Sequence, residues 1–450
     1  MKRIIVKIYP HYSGADDFFL AEPSAEFPDA DVPYQFKSKP LAAAVRRLIN
    51  SGMLKPMVVS RAGEWLFNQL ESHPAVKEAI SEAFRLRHGE SCPVYIHDQS
   101  PLAQTLPWET LYESRAEFLA LDGRWPIGRI TDSDQRRLPG EYIFSVPVRI
   151  MAVLSALRVP ARPEWDALYD AVRGAGLAFK LRVLVSERDL YAHIESIRDP
   201  EVEVAYVPTD ENLLRKEIGR FKPSILHFFC HGTVDKKPAK PSLHLAIPED
   251  WARTAGSGSV TLQVESLVKV PYLNQHNWLV TLNCCKSAAT VKQAQAMARS
   301  LVAKGFPVSV GMREVVDSKD AHLFCQVFYE NLCEALKAKL DDGSPAFEVC
   351  WPGMLSSARE RLGLRYAGGA ALSSVAAEVK EWTLPILYTR RAPVILRPVH
   401  ISDREELARL KTLDDCRETF AMIPGAPDSL LDDISRKEQR AAPEAASGAS

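Results

Sequence analysis

Residues 224–232 read SILHFFCHG and residues 278–288 read WLVTLNCCKSA. Each is an apolar run of strand length closed by small or polar residues. Ile225, Leu226, Phe228 and Phe229 lead to His231; Leu279, Val280 and Leu282 lead to Cys284 and Cys285. In open α/β sheets, functional groups collect just beyond the carboxyl ends of the strands. A histidine after one such strand and a cysteine after another can therefore meet in space, although 54 positions separate them (285 minus 231). An imidazole within reach of a thiol is a base beside a nucleophile.

The flanking sequence supplies the rest of a sheet. Upstream lie a strand over 147–156, a helix over 163–175 with Pro163 at its start, a strand over 180–185, a helix over 211–221 and the histidine strand over 223–230. Strands alternating with helices of this length predict parallel strands joined by right-handed crossovers. Downstream, Ser287 to Lys304 has helical spacing and stops at Gly305, a strand covers 306–311, and a long helix runs from about Ser318 to Leu340. Phe324, Val327, Phe328, Leu332 and Leu336 share one face of that helix, a pattern that predicts core packing rather than a cofactor surface. A further helix is expected over 345–362, followed by apolar segments at 381–388 and 393–396. The stretches TVDKKPAKPS (233–242) and DWARTAGSGSVT (250–261) read as long loops overhanging the histidine and cysteine.

The first part of the chain is also α/β in pattern: a strand over Arg3 to Tyr9, helices over Leu41 to Asn50 and Ala75 to Arg87, and a strand over Pro93 to His97. Cys92 and His97 flank one strand in the wrong order for a second site. The polar stretch from Asp132 to Tyr142 reads as a connection. From Ile423 onward Pro, Ala, Ser and Gly accumulate, and QRAAPEAASGAS is expected to be disordered. The predicted division is 1–145, 146–400, and a helix with a disordered tail over 401–450.

A chain of 450 residues, 46% hydrophobic and 25% charged, has ample material for a globular core. A net charge of −1 makes no electrostatic case for nucleic acid or a membrane surface. The opening MKRIIVKIYPHYS lacks the apolar core of a secretory signal, and nothing approaches the roughly 20 apolar residues of a membrane span, so a cytoplasmic location is expected. The eight cysteines, at 92, 230, 284, 285, 325, 333, 350 and 416, are scattered as core fillers would be in a reducing compartment. Structural zinc ligands come as pairs two to four residues apart, whereas here Cys230–His231 and Cys284–Cys285 are adjacent; no metal is expected.

Histidine first, with cysteine about 50 residues on, is the caspase order, and the surrounding residues resemble the CHAT group of caspase-like cysteine peptidases. LHFFCHG and LNCCKSA carry the likeness, with LPWETLYE at 106–113, the stretch 300–332 and EWTLPILY at 381–388 in the same order. The resemblance implies a mainly parallel caspase-like sheet flanked by helices, preceded by a smaller α/β half. That half, 1–145, would be a peptidase copy without catalytic groups, and 146–400 the peptidase proper. It implies a His231–Cys285 dyad, with backbone N–H groups of Gly232 and Cys285 as the oxyanion hole, and no organic cofactor. It further implies a protein substrate, and bacterial roles in antiviral defence or programmed cell death. Larger relatives carry helical sensor repeats; no period of about 34 residues occurs here, so a separate activating protein is expected.

Alternation of faces chooses between the adjacent cysteines. Cys284 continues the face of Val280 and Leu282 into the core, whereas Cys285 shares the face of Thr281 and Asn283. Specificity is less legible. Metacaspases place an Asp two residues before the nucleophile to help hold a basic side chain; Asn283 stands there instead, a neutral substrate-binding candidate. Asp317 and Asp320 could supply a charge from another wall, or cap a helix. His227, inside its strand, reads as core packing. The competing readings are a catalytically inactive scaffold, which the presence of both His231 and Cys285 disfavours, and an acyl transferase, for which no glycine-rich cofactor loop is found.

Overall fold

The computed structural model describes residues 2–399 except 12–15, 22–30, 38, 41, 44, 46–56, 88, 136–138, 235–240, 253–257, 272, 284–290 and 315. The chain opens with β1 (Ile4–Pro10), β2 (Asp16–Ala21) and β3 (Tyr34–Phe36), then helices α1 (Val58–Glu71) and α2 (Pro74–Ala83) and strand β4 (Val94–Asp98). A small hairpin, β5 (Tyr112–Glu113) and β6 (Glu117–Phe118), precedes β7 (Ile127–Ile130) and β8 (Glu141–Ser145). Next come β9 (Val148–Ser155), α3 (Arg162–Gly174), β10 (Phe179–Val185), α4 (Arg188–Ile197), β11 (Val202–Tyr206), α5 (Glu211–Phe221) and β12 (Ile225–Val234). The chain continues through β13 (Pro241–Leu245), β14 (Val260–Gln263), β15 (Leu279–Leu282), α6 (Val291–Ala303), β16 (Val308–Met312) and α7 (Ser318–Asp341). It closes with β17 (Phe347–Glu348), α8 (Trp351–Arg365), β18 (Pro385–Thr389) and β19 (Ile395–Val399).

Among the described residues one sheet runs β11-β10-β9-β12-β15-β16-β18-β7-β4-β1-β2-β3, with β13 and β14 added alongside β12. The fold is thus mixed α/β around a large, mainly parallel sheet. From β11 to β16 the neighbours are parallel, as the strand and helix alternation predicts. On β12, Ile225 and Phe229 enter the core under α3 and α7, whereas Leu226, Phe228 and Cys230 face α5 and α6. Burying an apolar side chain of this size contributes roughly 1.5–3 kcal/mol, so one-residue slippage of β12 would forfeit several such terms.

One expectation needs correction, and several features were not anticipated. The stretches either side of 245, read as loops, contain antiparallel strands: β12 runs on past His231 and pairs with β13, which pairs with β14. Helix α1 was not expected at all, nor were α4 and β11, and the helix expected over 41–50 falls largely outside the described residues. Finally, β16 and β18 pair antiparallel, from Val308↔Thr389 to Met312↔Pro385, which joins the two groups of parallel strands back to back.

That junction has an internal symmetry. A two-fold axis through the central pair Val310↔Leu387 lays β16 on β18, each residue onto the one 77 later (387 minus 310). Val310 pairs with Thr281, and Leu387 stands beside Gly128 by continuation of Tyr388↔Arg129, so Thr281 falls on Gly128. Thr281 pairs with His227 and Gly128 with Tyr95; those in turn pair with Ala152 and Ile5. Strands β9, β12, β15 and β16 therefore correspond to β1, β4, β7 and β18. The same offset sets His231 on Gln99 (95 plus 4). Gln99 donates its Nε2–H to Asp132 Oδ2 at 2.5 Å.

Candidate active site

His231 lies on β12 and is 6% exposed. Its Nε2 is 2.8 Å from the carbonyl oxygen of Leu157. A carbonyl only accepts, so Nε2 carries the ring proton and donates it, which leaves the lone pair on Nδ1. Nδ1 is buried and has no hydrogen-bond partner among the described residues. The ring is thereby held as the tautomer that can take a proton through Nδ1. The orienting group that no side chain in the sequence suggested is a main-chain carbonyl.

The turn after β9 explains how that carbonyl is aimed. Val159 N–H closes on the Ala156 carbonyl at 3.0 Å, and Arg158, the third residue of the turn, has φ +65°. A positive φ at that place marks a type II turn, in which the peptide between the second and third residues is flipped relative to type I. The flipped peptide here is Leu157–Arg158. A non-glycine residue in the left-handed region costs on the order of 1 kcal/mol, so the surrounding packing must maintain it.

Cys284 and Cys285 lie outside the described residues, and so do the expected first residues of α6, which is described from Val291. The strand leading to them is described as far as Asn283. Val280 and Leu282 join Met297 and Leu301 in the core beneath α6, while Thr281 and Asn283 face the α3 and α7 side with His227. Gly232, the expected oxyanion donor, is buried on β12 opposite Leu243.

Asn283 does not line an open pocket as a substrate-binding residue would. It is fully buried; its main-chain N–H donates to Phe228 O at 2.8 Å, and its Nδ2 donates to Glu164 Oε1 at 2.6 Å and to Ala321 O at 2.9 Å. Asp317 is the N-cap of α7: its carboxylate accepts the Lys319 N–H at 3.0 Å, the second of the two roles open to it. Asp320 is buried against Arg365 and the Tyr366 hydroxyl.

Glu164, in the first turn of α3, is the centre of a network that no sequence motif announces. Its Oε2 accepts from His322 Nδ1 at 2.6 Å, and its Oε1 lies 3.0 Å from His227 Nε2 as well as accepting from Asn283. His227 Nδ1 lies 3.2 Å from the Tyr329 hydroxyl, which donates to Thr281 Oγ1 at 3.2 Å. Burial pushes the Glu164 carboxyl up, but the His227 and His322 rings more than reverse this and hold it at about 2. Cys325 on α7 is fully buried, and burial followed by the Glu164 charge pushes its thiol up.

Glu164, His227 and Cys325 together bring an oxygen, a nitrogen and a sulfur donor within 4.8 Å of one another, a set zinc accepts in principle. In this structure the Glu164 carboxylate takes two N–H donors, from Asn283 and His322. The chemistry is that of a hydrogen-bonded network.

A buried histidine held in one tautomer at the carboxyl end of a parallel strand, in a large and mainly parallel sheet flanked by helices, places the candidate site in an α/β protein. The CHAT domain model matches residues 60–341, and the chain belongs to the CHAT domain family. The match begins within α1 and takes in strands on both sides of the β16–β18 junction. Among solved structures, the Saccharomyces cerevisiae separase–securin complex is similar, with TM-score 0.35 and 16% identity over 74% of this chain. The similarity covers 18% of that chain. None of the curated proteins matches this chain.

Proposed function

We propose that this chain is a regulated cysteine endopeptidase that cleaves a protein partner through His231 and Cys285. The observation that carries the reading is the His231 ring, with Nε2–H given to Leu157 and Nδ1 left without a partner among the described residues. Nδ1 takes the Cys285 thiol proton, and the thiolate attacks the peptide carbonyl carbon. The C–N bond then breaks as His231 returns the proton to the departing amine, and water hydrolyses the thioester to restore the thiol. Main-chain N–H groups of Gly232 and Cys285 stabilise the oxyanion.

In this reading the first 145 residues are the non-catalytic copy. Support comes from the two-fold relation, which sets an amide, Gln99, where the other half has His231; that amide donates to the Asp132 carboxylate. Activity is conditional on a separate activating protein, and the family's bacterial roles point to antiviral defence or programmed cell death in the cytoplasm. No helix among the described residues is long and apolar enough to cross a membrane. The alternative is an inactive scaffold of the same fold.

An electrophilic peptide probe, with adducts mapped by mass spectrometry, separates the two. A peptidase is labelled at Cys285 in a His231-dependent manner; absence of labelling there, with the buried cysteines equally silent, favours the scaffold.

A further inference from the structure

The segment from Leu157 to Glu164 touches both proposed catalytic strands. At one end the Leu157 carbonyl holds His231. Seven residues on, the Glu164 carboxylate reaches His227, four residues before His231 on β12, and Asn283, two residues before position 285. All three side chains are fully buried. We propose that Glu164 is a positioning residue for the nucleophile: by anchoring Asn283 to α3 it fixes where the chain leaves β15 relative to β12, and hence where Cys285 meets His231. This rests on the assignment of those two residues as the dyad.

The hydrogen bonds favour this role over plain core filling. Asn283 directly follows β15, and its side chain is tied at two points, to Glu164 and to Ala321 O on α7, while its main chain is tied to Phe228. Three different elements therefore fix one residue at the exit toward the cysteines. An ionised carboxylate is the acceptor that suits two donors, from Asn283 and His322, at 2.6 Å each. An amide at 164 would turn N–H donors toward one of them. Tyr329 also bridges β12 and β15, through His227 and Thr281, but Glu164 is the side chain that reaches Asn283 itself, so losing it removes one of the two side-chain ties of Asn283 without touching His231.

The test uses the full-length chain and a chloroacetamide probe, with the labelling rate at Cys285 read against that at buried Cys230 and Cys325. For Glu164→Gln we expect a fall of tenfold or more at Cys285 with a cooperative melt and no rise at Cys230 or Cys325; Glu164→Asp, which keeps the charge, should recover at least a third of the wild-type rate. Asn283→Ala should repeat the Glu164→Gln result. An unchanged rate at Cys285 in Glu164→Gln overturns the proposal. So does a loss accompanied by exposure of the buried cysteines, which marks general unfolding. If wild-type Cys285 is unlabelled, or labelled equally in His231→Ala, it is the dyad assignment that fails.

Discussion

His231 and Leu157 are 74 residues apart in sequence and joined by a 2.8 Å hydrogen bond from the imidazole Nε2–H to the main-chain carbonyl. That single contact decides which ring nitrogen is basic, and it depends on a turn rather than on a third side chain.

The turn can be broken without touching the histidine. Arg158→Gly suits φ +65° and should leave stability within about 1 kcal/mol and Cys285 labelling unchanged. Arg158→Pro forces φ near −65°, swings the Leu157 carbonyl away, and should cost about 2–3 kcal/mol and most of the labelling. Thermal melts and probe labelling of the two variants check this.

The two neighbouring cysteines should behave differently. The alternation described through Asn283 puts Val280 and Leu282 under α6 and Thr281 and Asn283 on the histidine side. Extending it two residues predicts that Cys285→Ala abolishes cleavage with the fold retained. Cys284→Ala should keep turnover and lose on the order of 1 kcal/mol of packing. The opposite pattern, measured with the same substrate and trigger, would mean that the strand leaves the sheet one residue out of step.

Asp98, at the end of β4, gives a pH prediction. Among the described residues neither of its buried carboxylate oxygens has a hydrogen bond, Arg129 Nη1 standing 3.6 Å away, and burial, opposed by Arg129 and Arg299, pushes its pKa up to about 7. Because the folded state binds this proton more tightly than the unfolded chain, stability falls as pH rises from about 4 through 7 and stays reduced above. Asp98→Asn should therefore raise the melting temperature at pH 8, by a free energy on the order of 2 kcal/mol, and do little at pH 4. Equal effects at both pH values would contradict this.

Gly63, in the middle of α1, is there for space. A Cβ at that position would run into the Thr110 carbonyl oxygen and crowd Tyr112, so Gly63→Ala should destabilise by about 2–4 kcal/mol despite alanine's better helix propensity. Denaturant unfolding of this single variant checks it, and a stabilised variant would mean α1 does not pack on that loop.

The same residues show what sequence could and could not convey. Helix α3 and strands β9 and β10 lie within a residue or two of their expected bounds because one face of each is continuously apolar. Helix α1 escaped notice because it opens on β-branched Val58 and Val59, carries Gly63, and has no capping side chain at Met57. The β16–β18 pairing was illegible because nothing in either strand encodes a partner some 77 residues away. Every residue has a carbonyl, so Leu157 could not be singled out, and Glu164 reads as an ordinary acidic residue of a first helical turn until His227, His322 and Asn283 are folded around it. The likeness of LHFFCHG and LNCCKSA to a family suggested the proposed dyad; it suggested neither the His231 tautomer nor the contacts of Glu164.

The central claim is that His231 activates Cys285, and the pH dependence of alkylation tests it most directly. Iodoacetamide modification at Cys285 is followed by peptide mapping from pH 5 to 9 in the wild-type chain and in His231→Ala. A cysteine paired with an imidazole reacts as thiolate well below the ordinary thiol pKa of about 8.5. The wild-type rate should therefore hold up near pH 6.5, whereas His231→Ala should react tenfold or more slowly there and rise only toward pH 8.5. Superimposable profiles for the two proteins would contradict the claim.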